Sequence, residues 1–259
     1  MEPIFLPLLG LLIFLIAFIY SNIGLGGGML FTPLLVAFAF ADKDTIVCIS
    51  LFLVLATSLA AAYNHWWNGL IKYRYGLLIA AFSIPGSITG VIIGLSIHYS
   101  LFYLLFGLLA FSVGTKMLYD IWHENTECTE RKIRRVDYVL VALISYLSGI
   151  ISAVFGVGGG VFNVPVLLYL LSCKTREASG TSSFTICLTV IAGILTNGVL
   201  LSTFPAASLS GLALAPVAFV GAFIGSRIGI KKFREKSLRI IFVSMLFLAG
   251  IQMVWEFLG

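Results

Sequence analysis

Gly24-Leu25-Gly26-Gly27-Gly28 and Gly156-Val157-Gly158-Gly159-Gly160 are two copies of one stretch. The first runs into Met29-Leu30-Phe31-Thr32-Pro33-Leu34-Leu35, the second into Val161-Phe162-Asn163-Val164-Pro165-Val166-Leu167. Each copy follows an apolar run long enough to cross a bilayer and precedes one too short to do so. Glycine is a poor helix former, so the helix breaks there. Backbone without helical pairing is tolerated at membrane depth only where protein buries it or it lines a cavity. Two such breaks, one per half, point to a transporter binding site at the interface of internal repeats.

Composition sets the class. The chain is 60% hydrophobic and 10% charged, with a mean hydropathy of +1.08. A soluble domain carries about 25% charged residues. This is therefore an all-α polytopic membrane protein, embedded in a lipid bilayer. Met1-Glu2-Pro3 lacks the positive region of a cleavable signal, so the first apolar run is expected to be retained. The net charge of +5 bears on topology, and no nucleic-acid partner is expected. Cys48, Cys128, Cys173 and Cys187 show no CxxC spacing, which argues against a metal or redox site. No cofactor is expected.

Outward from the first glycine stretch, residues 3–20 make one apolar run and residues 29–41 a short one. Thr32-Pro33 reads as an N-cap followed by proline at the first helical position. Spans are expected at 45–63, 76–95 and 99–119, then a polar loop with the basic run 131–135. The second half repeats this with 137–155, a short run at 161–172, and spans at 177–201, 207–228 and 238–258. Pro85-x4-Gly90-x3-Gly94 aligns with Pro216-x4-Gly221-x3-Gly225. Gly114-Thr115-Lys116-Met117 echoes Gly250-Ile251-Gln252-Met253, Ser50 falls opposite Ser182, and Thr57 opposite Thr189. The domains read as a first repeat over 1–120, a basic cytoplasmic loop over 121–136 and a second repeat over 137–259.

Charge chooses the threading. With eight simple crossings, Lys and Arg divide 7 against 9 across the bilayer. With each glycine-broken pair as a hairpin returning to its own side, they divide 15 against 1, Lys43 being the exception. The biased division is preferred. Each half is then a re-entrant hairpin plus three transmembrane helices, an odd number of crossings, so the repeats are inverted. Both termini lie outside and the basic loops in the cytoplasm. Cys48 then sits near the outer face and Cys128 and Cys173 at the inner one, too far apart for a disulfide.

A short helix starting inside the membrane presents unpaired N–H groups and about +0.5 of a charge. That suits an oxyanion without any charged side chain. The candidate donors are the backbone of Gly26, Gly27, Gly28, Gly158, Gly159 and Gly160, with the side chains of Asn22, Asn163, Thr181, Ser182 and Ser183. The competing reading is that the loop glycines serve close packing. Mid-helix hydroxyls can likewise bond to their own backbone. Gly86, Gly90, Gly94, Gly221, Gly225 and Gly229 recur every four residues and read as helix-contact faces. His65, beside Trp66 and Trp67, reads as an interfacial belt residue or a proton carrier. No Asp, Glu, Lys or Arg lies near the middle of an expected span, which disfavours proton and cation carriers. No catalytic triad, H-E-x-x-H or P-loop lysine is present, so no enzyme activity is expected. Bulky replacements of Gly27 and Gly159 are expected to stop transport and leave folding intact.

The paired G-x-G-G-G-x4-P motifs, the two-repeat layout and Ala178-Ser179-Gly180-Thr181-Ser182-Ser183 resemble the TauE/SafE sulfite exporter family, also called the toluene sulfonate uptake permease family. The first half departs from that pattern, with Ile46-Val47-Cys48-Ile49-Ser50 in the matching place. The resemblance implies transport of sulfite, sulfoacetate or other organosulfonates at a bacterial inner membrane, and an inside-negative potential favours export of an anion over its uptake. The alternatives are a subunit relaying a sulfur species to a cytoplasmic partner and an uptake permease coupled to protons or sodium. A homodimer is left open.

Overall fold

The computed structural model describes residues 5–38, 42–122, 135–200, 206–232 and 235–258. Cys128 and residues 131–134 of the basic run lie outside them. The order is α1 (Phe5–Ile23), α2 (Gly28–Ala37), α3 (Lys43–Trp67), α4 (Tyr73–Ser96), α5 (Tyr99–Trp122), α6 (Arg135–Phe155), α7 (Gly160–Pro165), a π-helical turn (Val166–Leu170), α8 (Thr175–Leu200), α9 (Ala206–Lys232) and α10 (Glu235–Leu258). No strand occurs among the described residues. Among the described residues, five helices are long and apolar enough to cross a membrane: α3, α4, α5, α6 and α8. Leu77, Ile88 and Ile92 of α4 and Val139, Leu143 and Leu147 of α6 are exposed, a face suited to lipid.

Helices α3 and α8 form the centre, with 72% of the apolar stretch of each buried, against 33% for α5. They run antiparallel: Gly180 packs on His65, and Gly193 on Leu51. Helices α5 and α10 are also antiparallel, with Gly107 on Val254 and Gly114 on Phe247. The Phe111 and Phe247 rings meet there at 5.9 Å. By contrast α4 and α6 run parallel, as do α1 and α9.

Glycine makes those parallel pairs close. A Cβ added at Gly90 would lie 2.8 Å from Ile150 Cα, and one at Gly149 2.8 Å from Ser87 N. A Cβ at Gly221 would lie 2.6 Å from Phe14 O, and one at Gly225 2.7 Å from Phe18 Cα. Ordinary side chains would force the helices apart. By contact partner, Gly86, Gly90 and Gly94 answer to Gly221, Gly225 and Gly229. That is one helical turn away from the alignment through Pro85 and Pro216, because the second-half helix meets its neighbour four residues later.

Two local readings change. Thr32 does not cap a helix: α2 begins at Gly28, with Pro33 inside it. Thr32 Oγ1 instead donates to Phe155 O at 2.8 Å. His65 is 1% exposed while Trp66 and Trp67 are 54% and 74% exposed, so it faces the protein rather than the belt. Lys43, the exception in the charge count, is 7% exposed. Its Nζ donates to Gly94 O at 2.8 Å and Ile97 O at 2.6 Å, capping the C-terminal end of α4.

Candidate functional site at the paired glycine turns

Each turn is forced on glycine by its backbone. Gly24, Gly26 and Gly27 have φ of 75°, 76° and 84°, and Gly156, Gly158 and Gly159 have 70°, 84° and 73°. Left-handed backbone costs other residues about 1–2 kcal/mol each. Gly27 and Gly159 are the N-cap residues of α2 and α7, with no side-chain cap. The first amides of each helix have no carbonyl one turn back to bond.

The two turns pack directly on each other. A Cβ on Gly28 would lie 2.6 Å from Val157 Cα and overlap Gly156 O. A Cβ on Gly160 would lie 2.7 Å from Leu25 Cα and 2.9 Å from Gly24 O. Val54 and Ile186 both wall Gly26 and Gly158. Hydroxyls tie down the carbonyls where α1 and α6 end. Ser50 Oγ donates to Gly156 O at 2.8 Å, and Ser182 Oγ to Gly24 O at 2.6 Å. Ser179 Oγ donates to Ile23 O at 3.1 Å, and Thr32 serves Phe155 O. Helix-end carbonyls that would otherwise be buried without partners are thereby met.

This geometry sorts the expected site residues. Gly26, Gly27, Gly28, Gly158, Gly159, Gly160 and Ser182 come together. Ser182 spends its proton on Gly24 O, and Ser183 spends its own on Ser179 O at 2.9 Å. Thr181 Oγ1 accepts from Lys72 N at 2.9 Å, at the corner between α3 and α4. Asn22 lies apart, on the α1–α9 contact, with Nδ2 donating to Phe18 O at 2.8 Å and its amide against Gly229. Asn163 is buried one turn into the second short helix, its Oδ1 3.3 Å from Ser148 Oγ. His65 Nδ1 donates to Ala61 O at 2.7 Å, and its ring packs on Gly180.

The expected outcome for Gly27 and Gly159 needs revision. A Cβ there would lie 2.8 Å from the Phe31 ring or 2.7 Å from Ser148 Oγ, on left-handed backbone. Bulky residues at these positions disturb folding as well as any ligand. Sequence reasoning took Thr32 for a helix cap only and passed over Ser145, Ser148 and Ser152. The last three stand at i, i+3 and i+7, one helix face, which was the available signal.

Around this centre the charge is sparse. Lys72 Nζ pairs with Glu177 Oε1 at 3.0 Å outside the spans. The hydrogen bond and charge of Glu177 raise the lysine pKa. Among the described residues no group of three or more His, Cys, Asp or Glu comes together.

Comparison with known proteins identifies the family. The family described as Sulfite exporter TauE/SafE matches residues 9–253. The probable membrane transporter protein YunE of Bacillus subtilis (strain 168) is 26% identical over 256 residues, covering 91% of this chain and 92% of that one. The probable membrane transporter protein MJ0441 of Methanocaldococcus jannaschii is 27% identical over 267 residues, covering 96% and 95%. A probable membrane transporter protein of Xylella fastidiosa (strain 9a5c) is 29% identical over 170 residues, covering 65% and 64%. No solved structure matches. With a family match across nearly its whole length, this chain belongs to the TauE/SafE sulfite exporter family of membrane transporters.

Proposed function

We propose that the protein carries small sulfur-containing oxyanions such as sulfite, sulfoacetate or other organosulfonates out of the cell, binding them where the two glycine turns meet. The single observation behind this reading is the buried pair of turns, each opening a short helix whose first amides have no helical acceptor. Amides and hydroxyls hold an oxyanion by hydrogen bonds and dipole, and release it more readily than a fixed cation would. An inside-negative potential favours anion exit by about 2.3 kcal/mol per charge per 100 mV, so no coupling ion is needed.

The threading belongs to the same proposal. The halves are inverted repeats, 1–120 and 137–259, joined by 121–136. Each contributes a re-entrant hairpin and three crossings. The support is reciprocity of contact: Gly28 lies over the Gly156-Val157 peptide as Gly160 lies over the Gly24-Leu25 peptide. The corresponding helices α3 and α8 run antiparallel, as do α5 and α10. Both termini face outward from a bacterial inner membrane. The 15-to-1 division of Lys and Arg supports this, and the odd one, Lys43, has a structural use in capping α4.

Efflux of radiolabelled sulfite from proteoliposomes, with and without an imposed potential, tests the reading. The expected result is efflux that follows the potential. Folded protein that moves no sulfur oxyanion under any gradient overturns it.

A further inference from the structure

We propose that the oxyanion site is one-sided: the hydroxyls of Ser87, Ser145 and Ser152 bind the anion beside the second glycine turn, with Ser148 and Asn163 completing the polar wall. This rests on the anion-carrier reading above and assigns the site to particular residues.

The hydroxyl inventory motivates it. Buried hydroxyls here usually have a partner, either on their own helix, as Ser21 on Phe18 O, Thr57 on Leu53 O, Thr189 on Thr185 O and Ser226 on Ala222 O, or on another segment, as Ser50 on Gly156 O and Ser182 on Gly24 O. Ser87, Ser145 and Ser152 are buried, and their Oγ atoms have no partner. A buried hydroxyl without a partner is costly, and in native interiors a water or a ligand usually satisfies it. Each of the three has a proton to give.

Their placement gathers them. Ser145, Gly149 and Ser152 lie along the face of α6 that crosses α4. At the crossing, a Cβ on Gly149 would lie 2.8 Å from Ser87 N. Ser145 stands about one turn before that point and Ser152 about one turn after it, roughly 5 Å either way along the helix. Ser152 Cβ would lie 3.6 Å from a Cβ on Gly159, which puts it at the second turn. Ser148 Oγ donates to Gly159 O at 3.0 Å and steadies that turn.

The first half has no such wall. Counted through the glycine turns, Ser145, Ser148, Ser152 and Asn163 correspond to Ile13, Ile16, Tyr20 and Phe31. All four are core residues, and Phe31 packs its ring against Gly27. Among the described residues the first half has two unpartnered serines: Ser87, which α4 lends to the wall beside α6, and Ser58 near Gly26. Neutral donors with no carboxylate among them suit an anion better than a cation.

The test is equilibrium binding of radiolabelled sulfite to the purified full chain, alongside proteoliposome efflux. Ser145→Ala with Ser152→Ala should weaken sulfite binding about tenfold or more, as lost hydrogen bonds to a charged ligand do. The melting temperature should hold or rise, because orphan hydroxyls have gone. Ser112→Ala and Ser244→Ala, which remove exposed back-bonded hydroxyls, should change neither. Should the double variant fail to fold, each single variant reports separately, with about threefold weakening expected. Unchanged affinity in the folded Ser145 and Ser152 variants overturns the one-sided site. So does loss of affinity in Ser58→Ala alone, or binding that needs sodium and loses its sodium dependence in Ser152→Ala. Wild-type protein that neither binds nor moves sulfite would instead remove the carrier reading beneath it.

Discussion

The two glycine turns share a backbone and differ in their surroundings. Both take left-handed glycines at matching positions, and both receive a serine hydroxyl from the opposite half. The helices flanking the first turn carry Ile13, Ile16, Tyr20 and Phe31; those flanking the second carry Ser145, Ser148, Ser152 and Asn163 at the matching positions. The helix after the first turn runs ten residues, Gly28–Ala37. The helix after the second runs six and then loosens into a π-helical turn. There Leu171 N bonds back five residues to Val166 O at 3.1 Å, although Pro33 and Pro165 stand at matching positions in the two helices. The shared part is what the crossing of two backbones demands. The part that differs is free of that demand and so can carry ligand chemistry.

The widest test of the shared part is Gly28→Leu against Gly160→Leu. Each side chain would be driven into the opposite turn, so each should cost about 3 kcal/mol or more and lower the melting temperature by a similar amount. A large loss in one and none in the other would break the equivalence of the turns. Next come the hydroxyl ties. Ser182→Ala leaves Gly24 O without its donor and should cost about 1–3 kcal/mol. Ser50→Ala leaves Gly156 O without its donor and should cost about as much, because the single proton of Thr32 Oγ1, 3.0 Å from Ser50 Oγ, already serves Phe155 O. Thermal unfolding in detergent measures both. A much smaller loss for Ser50→Ala would mean that Thr32 leaves Phe155 O to cover Gly156 O.

These pairs mark what the sequence could disclose. The repeated glycine stretch, the apolar spans and the four-residue glycine spacing are covalent patterns, and the helices and their contact faces follow from them. Lys43 as a cap could not be read, because its acceptors Gly94 O and Ile97 O arrive from a distant part of the chain. Ser182 and Ser183 were legible as hydroxyls in the right region. Whether Ser182 gives its proton to a ligand or to backbone depends on where α1 ends, which composition does not fix, while Ser183 bonds back within α8. The serines of α6 share one helix face in the sequence. Only burial against α4 separates them from serines such as Ser112 that face outward.

A smaller contrast lies where α5 and α10 flank the turns. Gln252 Nε2 donates to Pro33 O at 3.0 Å, tying α10 to the helix that follows the first turn. Lys116, in the matching place on α5, instead holds its Nζ 6.0 Å from the centre of the Tyr169 ring in the π-helical turn. Gln252→Leu should therefore cost about 1 kcal/mol. Lys116→Leu should cost about 0.5 kcal/mol, the worth of an exposed cation–π contact. A larger loss for Lys116 would place it among the structural ties of the second half.

The smallest expected effect concerns the corner where the halves meet outside the spans. Lys72 gives its backbone N–H to Thr181 Oγ1 and its ammonium to Glu177, so the start of α8 is pinned to the loop before α4. The first-half counterparts of Thr181 and Glu177 are Ile49 and Thr45, which offer neither a matching hydroxyl nor a carboxylate. Hydrogen bonding and the charge of Glu177 raise the Lys72 pKa above its ordinary 10.5. A raised lysine pKa means that folding favours the protonated form. The stabilisation is thus complete below the ordinary lysine value and fades as pH climbs through the raised one. Across neutral pH the melting temperature of wild type and Lys72→Met should run parallel, with a small gap that salt narrows. The gap should close only in strongly alkaline solution. If it closes near neutral pH instead, another group controls this corner, and the pinning of α8 does not depend on the lysine charge.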